Sequence, residues 1–159
     1  MASYFGNHYG GVGLILEGKY VLTAPREKVW DFIIDPSKIG NCLPDLKSLE
    51  VESENKFIAL IRVGLGPIRT DLKFRIEIVG KEPPSRVRLK AIGSGSGNSV
   101  NLDLGIELRD ILGGSELTYK SDVKIAGMMA GLGQRLIGDA TEKTVASVFE
   151  CIKKQLEQT

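Results

Sequence analysis

The chain has 159 residues, 42% of them apolar and 26% charged, which suits one domain able to bury a core without disulfides or a structural metal. Its 21 Lys and Arg against 20 Asp and Glu leave a formal charge of +1, without the basic excess of a nucleic-acid binder. One His and two Cys exclude most metal and nucleophilic chemistry, and glycine, at 19 residues, is the compositional outlier.

Residues 1–13 are Gly-rich, follow neither the helix nor the strand period, and are expected to form a flexible tail that carries His8, the single histidine. The domain is expected to span 14–159. Leu14–Leu22 reads as a strand, and Pro25 then opens a helix whose apolar face is Val29, Trp30, Phe32, Ile33 and Ile34. Asp35-Pro36 stops that helix, and Asp35 is placed to cap a second short one running from Ser37 to about Leu43.

A series of strands follows. Leu46–Glu52 and Lys56–Val63 are joined by a Ser-Glu-Asn turn, and Leu72–Ile78 alternates apolar and charged residues without exception. Arg86–Ala91, Val100–Arg109 and Leu117–Ile125 repeat the pattern, with Gly113-Gly114 closing the last hairpin. From Met128 to about Gln158 the period changes to that of an amphipathic helix, with Leu132, Leu136, Ala140, Thr144, Val148 and Ile152 in one stripe. The fold class is therefore α+β: a curved antiparallel sheet of about seven strands, two short helices, and a long C-terminal helix gripped by the sheet. Gly64, Gly66, Gly93, Gly95, Gly97 and Gly105 are expected to supply its bends.

The segment Thr23–Pro36 resembles the signature of the START/birch-pollen-allergen helix-grip superfamily (SRPBCC). Within it, Ile39–Asp45 with its Cys42-Leu43-Pro44, Val63–Ile68, and Gly127 with Gly131–Ile137 resemble the carbon monoxide dehydrogenase G-subunit (CoxG) family, over about Leu14 to Leu156. The resemblance implies a non-catalytic accessory of a molybdenum-containing dehydrogenase, acting in maturation, membrane attachment or delivery to quinone.

One sheet curved over one helix leaves a space between them, and apolar spaces of this kind bind small molecules. Expected lining residues are Trp30, Ile39, Cys42 and Leu43 from the helical segments, and Leu72, Phe74, Ile76, Leu89, Ala91, Leu102, Leu104, Tyr119 and Val123 from the strands. Met129, Leu132, Leu136 and Ala140 complete the set, with Met128 and Met129 read as a yielding lid. Strand parity sends Asp71, Glu77, Asp103, Glu107 and Asp122 to the wet face, so the interior holds no acid–base pair, and Tyr119, Ser121 and Cys42 are its polar groups. No catalytic residue, metal or cofactor is expected. Cys42 and Cys151, 109 positions apart, are read as separate core thiols of a cytoplasmic protein.

Residues 62–90 carry eight Lys and Arg against three Asp and Glu. Lys73, Arg75, Arg86, Arg88 and Lys90 fall on the outer sheet face, either merely solvated or forming a patch for an acidic partner or for anionic lipid headgroups at the inner membrane face. The Gly93–Ser99 run lacks the Lys-Ser/Thr ending of a phosphate loop and is read as a hairpin. The leading expectation is a carrier of an apolar ligand, a quinone or lipid, that serves a molybdenum hydroxylase-type dehydrogenase. The alternatives are a protein-interaction module with a packed interior and a small cyclase-type enzyme.

Overall fold

The computed structural model describes residues 2–5 and 11–157. In chain order the elements are β1 (Ala2–Phe5), β2 (Val12–Leu22), α1 (Arg26–Ile33), α2 (Pro36–Gly40), β3 (Leu46–Ser53), β4 (Lys56–Leu65), β5 (Ile68–Glu82), β6 (Arg86–Gly95), β7 (Asn98–Ile111) and β8 (Gly114–Ala126). A 3-10 turn (Met128–Leu132) and α3 (Gln134–Glu157) complete the chain. Among the described residues the strands form one antiparallel sheet in the order β1-β2-β8-β7-β6-β5-β4-β3. The two sequence-distant partners β2 and β8 meet in its interior, and the rest is a meander.

The alternation that predicts the strands also sets their faces. On β8, Leu117, Tyr119, Ser121, Val123 and Ile125 are buried while Lys120, Asp122 and Lys124 are exposed. The predicted wet-face acids Asp71, Glu77, Glu107 and Asp122 are exposed, and Asp103 is half-buried on the same face. Asp35 caps α2 as its position suggests, accepting from the backbone N–H groups of Ser37 and Lys38, and the turn over Ser96 and Gly97 closes the β6–β7 hairpin. The core gathers at one side of the sheet, where Leu14, Leu16, Leu22 and Leu117 meet Val29, Trp30 and Phe32 of α1 and Ile152 and Leu156 of α3. Ser115 belongs to it too, its hydroxyl donating to the Ala24 carbonyl at 2.8 Å.

Three expectations are corrected. Residues 1–13 are not a loose tail throughout: Ala2–Phe5 pairs with Gly13–Leu16, and Val12 and Gly13 open β2. The physical reason is the free edge of β2, whose unpaired backbone groups β1 satisfies. His8 lies outside the described residues. The long helix begins at Gln134 rather than Met128, because Gly133 sits at φ +91°, a conformation that breaks the helical run which the apolar stripe continues. Finally, Cys42 and Cys151 are not separate thiols. The fold lays the end of α2 against the C-terminal half of α3, brings their Cα atoms to 5.5 Å, and the two form a disulfide.

Candidate functional site

α3 crosses the inner face of the sheet and is anchored at its two ends. At the N-terminal end Ile137 and Gly138 are buried, and the Leu136 side chain lies over Gly66 in the β4–β5 turn. At the C-terminal end Ile152 and Leu156 are buried, the Thr23 hydroxyl donates to Glu157, the Lys28 ammonium donates to the Leu156 carbonyl, and the disulfide ties Cys151 to Cys42.

Between these anchors the helix lies less deep. Ala140, Thr141, Val145, Val148 and Phe149 are all only half-buried, and no residue from 139 to 151 is fully buried. The sheet opposite behaves in the same way. Phe74, Ile76 and Ile78 of β5, Leu89 of β6, and Leu102, Leu104 and Ile106 of β7 face inward yet stay half-buried. Apolar side chains that face each other across two layers and remain open to water define a furrow between α3 and β5–β7. The inward positions Leu72–Ile78, Val87–Gly93 and Val100–Leu108 carry no ionisable group, and Lys81, which shares the inward face with its partner Val87, is paired with Glu54. The furrow owes part of its shape to Gly93, where a Cβ would lie 2.5 Å from the Phe74 ring, so the ring folds over the glycine backbone.

The predicted lining residues divide into two groups. Phe74, Ile76, Leu89, Leu102, Leu104, Leu132 and Ala140 keep exposed surface, as do Ile39 and Leu43 beside α2, and Leu136 at the outer rim is 38% exposed. Trp30, Leu72, Ala91, Tyr119, Val123 and Met129 are packed into the core. Cys42 is also packed into the core, and with its sulfur bonded to Cys151 it is not a free polar group of the interior. Of the proposed lid, Met129 is 1% exposed and its N–H donates to the Asn98 side-chain oxygen, whereas Met128 is 64% exposed. Sequence reasoning passed over Ile78, Ile106 and Phe149 as lining residues, although parity and the helical period place all three on inward faces.

Polar groups are sparse on the inner face. Tyr119 forms the end of an aromatic group in which Phe149 stacks on Tyr20 at 4.1 Å and on Tyr119 at 5.3 Å, and burial pushes the Tyr119 phenol above its ordinary value. The hydroxyls of Thr70 and Ser121 are buried with no hydrogen-bond partner in the protein. Thr70 sits near the start of β5, before pairing with β6 begins at Lys73. Ser121 lies in mid-sheet between Leu16 and Leu104. Among the described residues no group of His, Cys, Asp and Glu could hold a metal ion, and no helix is long and apolar enough to cross a membrane.

The outer face is of another kind. An open depression of about 820 Å³ runs across β2, β8, β7, β6 and β5, lined by Glu17, Lys19, Lys120, Arg88, Glu107 and Arg86 and floored near Gly105. Most of its charges are paired: Lys19 with Glu116, Arg86 with Glu82 and Glu107, and Arg88 with Asp103. Arg86 and Arg88 of the predicted basic patch are thereby engaged, while Lys73, Arg75 and Lys90 are exposed without an ion pair among the described residues.

The family model of the carbon monoxide dehydrogenase G-subunit (CoxG) matches residues 18–157. None of the curated proteins compared gives a significant match. Among solved structures, a conserved protein from Geobacillus kaustophilus is 28% identical, with a TM-score of 0.84 over 92% of this chain and 95% of that one. The di-domain ARO/CYC protein BexL of the BE-7585A biosynthetic pathway is 12% identical, with a TM-score of 0.64 over 91% of this chain and 50% of that one. Ara h 8.0201 is 13% identical, with a TM-score of 0.61 over 92% and 99%. At those identities the last two show a shared fold and nothing more.

Proposed function

Because the chain belongs to the carbon monoxide dehydrogenase G-subunit (CoxG) family, we propose that it is a non-catalytic binding protein that holds an apolar ligand in the furrow between α3 and β5–β7. The observation that carries this reading is the pair of facing apolar surfaces left half-exposed on the inside of the molecule, on a sheet wall whose inward ionisable group, Lys81, is paired with Glu54. Burying such surface against a ligand is favourable by roughly 25 cal/mol per Å². In the same reading the ligand is an isoprenoid quinone or a lipid, and the protein it serves is a molybdenum-containing dehydrogenase. The disulfide favours a working place where thiols stay oxidised over the cytoplasm expected from the sequence. Alkylation of free thiols in protein quenched directly from cells distinguishes the two settings.

The test is mass spectrometry of an organic extract from the purified protein beside a Leu104→Trp variant, in which the indole occupies the furrow. The wild type should yield a stoichiometric apolar compound and the variant should not. If nothing extracts, and added quinone changes neither the melting temperature nor Trp30 fluorescence, the carrier reading fails. The second reading, a docking module for the dehydrogenase, is favoured by the charged depression on the outer face. Capture of the enzyme by wild type and Leu104→Trp alike would support it, and loss of capture in Lys120→Glu would locate the contact.

A further inference from the structure

We infer that Ser121 is a specificity-determining residue of the furrow, and that the ligand it selects is an apolar molecule bearing an uncharged oxygen, a carbonyl or a hydroxyl. This rests on the reading of the furrow as a binding site. Ser121 is 3% exposed, points to the inner face with Tyr119 and Val123, and its hydroxyl has no hydrogen-bond partner in the protein. Its cross-strand neighbours are Leu16, which is buried, and Leu104, which is half-buried on the furrow wall. The hydroxyl therefore lies one residue from the furrow in an apolar setting.

A buried hydroxyl without a partner is penalised by the full loss of its hydration, so native interiors rarely keep one. A serine offers one donor and two acceptor sites, and so matches either a carbonyl or a hydroxyl. It does not match a carboxylate or a phosphate, because its cross-strand neighbours Leu16 and Leu104 supply no cation and Lys81, the inward-facing cation of β5, is already paired with Glu54. The ligand class is thus narrower than "apolar": a quinone or an alcohol fits, and a fatty acid or a phospholipid headgroup does not. The second unpartnered hydroxyl, Thr70, sits by the β4–β5 turn and is not needed for this assignment.

The test uses a matched pair of probes, 2-methyl-1,4-naphthoquinone and the hydrocarbon 2-methylnaphthalene, titrated calorimetrically into wild type, Ser121→Ala and Ser121→Thr. Loss of one hydrogen bond should weaken quinone binding about 10-fold in Ser121→Ala, leave the hydrocarbon within about 2-fold, and be largely restored by Ser121→Thr. The ligand-free Ser121→Ala protein should melt about 2–4 °C higher than wild type, since a penalised group has been removed. A lower melting temperature, or equal losses for both probes, overturns the assignment. If wild type binds both probes and Ser121→Ala does not discriminate between them, Ser121 is refuted and the furrow reading stands. If wild type binds neither, the furrow reading fails and this assignment falls with it.

Discussion

Replacing Cys42 and Cys151 by Ala should destabilise the chain strongly. The bond closes a loop of 109 residues between the end of α2 and α3. In the chain-entropy treatment such a loop restricts the unfolded state by about 5 kcal/mol at 25 °C, and natural bridges more often deliver about 2–4 kcal/mol. For a chain of this size each kcal/mol moves the melting temperature by roughly 2–4 °C. The double variant should therefore melt about 5–15 °C below the oxidised wild type.

Urea and thermal denaturation of wild type, with and without a dithiol reductant, and of the double Ala variant would measure this. Reduced wild type and the variant should coincide, and the reductant should leave the variant unchanged. The choice of Ala avoids placing a hydroxyl at Cys42, which is 5% exposed. If reduced wild type melts with the oxidised protein, the two cysteines contribute no cross-link and the chain-entropy argument is wrong for this fold.

Gly93→Ala should cost about 1–3 kcal/mol, because its Cβ would meet the Phe74 ring at 2.5 Å and drive the ring into the furrow. A fall in the urea midpoint together with weaker probe binding would be seen; unchanged binding would show that Phe74 does not shape the furrow. Ser115→Ala removes a buried hydrogen bond to the Ala24 carbonyl and should cost about 1–3 kcal/mol at an unchanged denaturant slope. The Arg109 guanidinium donates to Glu116 at 2.7 Å and holds its carboxyl below the ordinary carboxylate range. With the folded value below the unfolded one, this pair adds stability above about pH 4 and loses it as pH falls through the folded value. The gap in stability between wild type and Glu116→Gln should accordingly be wider at about pH 7 than at about pH 3, and an equal gap at both would contradict the assignment.

What the sequence disclosed was governed by local rules. The unbroken alternation from Leu72 to Ile78, the Asp35 cap, the Pro25 start and the β6–β7 hairpin all follow from chemistry within a few residues, and each stands where expected. The features it hid depend on distant parts of the chain. Nothing in the neighbourhood of Cys42 announces Cys151, and a four-residue strand such as Ala2–Phe5 becomes legible only once β2 offers it an edge. Gly133 interrupts a stripe whose period runs on through it, so the pattern overstated α3 by one 3-10 turn. The candidate site shows the same division. Parity told which face Leu72 and Leu104 belong to, but not how far the opposite layer stands from each, and that distance separates a core residue from a lining one.

That distance has a mechanical origin. Apolar surfaces facing each other across a gap attract, and a helix free to settle would close onto β5–β7 and bury Phe74, Leu102 and Leu104 completely. α3 does not settle because it is pinned beyond both ends of the gap. Leu136 rests over the β4–β5 turn at one end, and at the other the disulfide and the Thr23 and Lys28 hydrogen bonds fix its height. The bond between Cys42 and Cys151 then has two roles that share one cause. It restricts the unfolded chain, and it holds up one end of the helix that spans the furrow. Its removal should lower stability and also let the furrow narrow, so the double Ala variant should lose probe affinity even at temperatures where it remains fully folded.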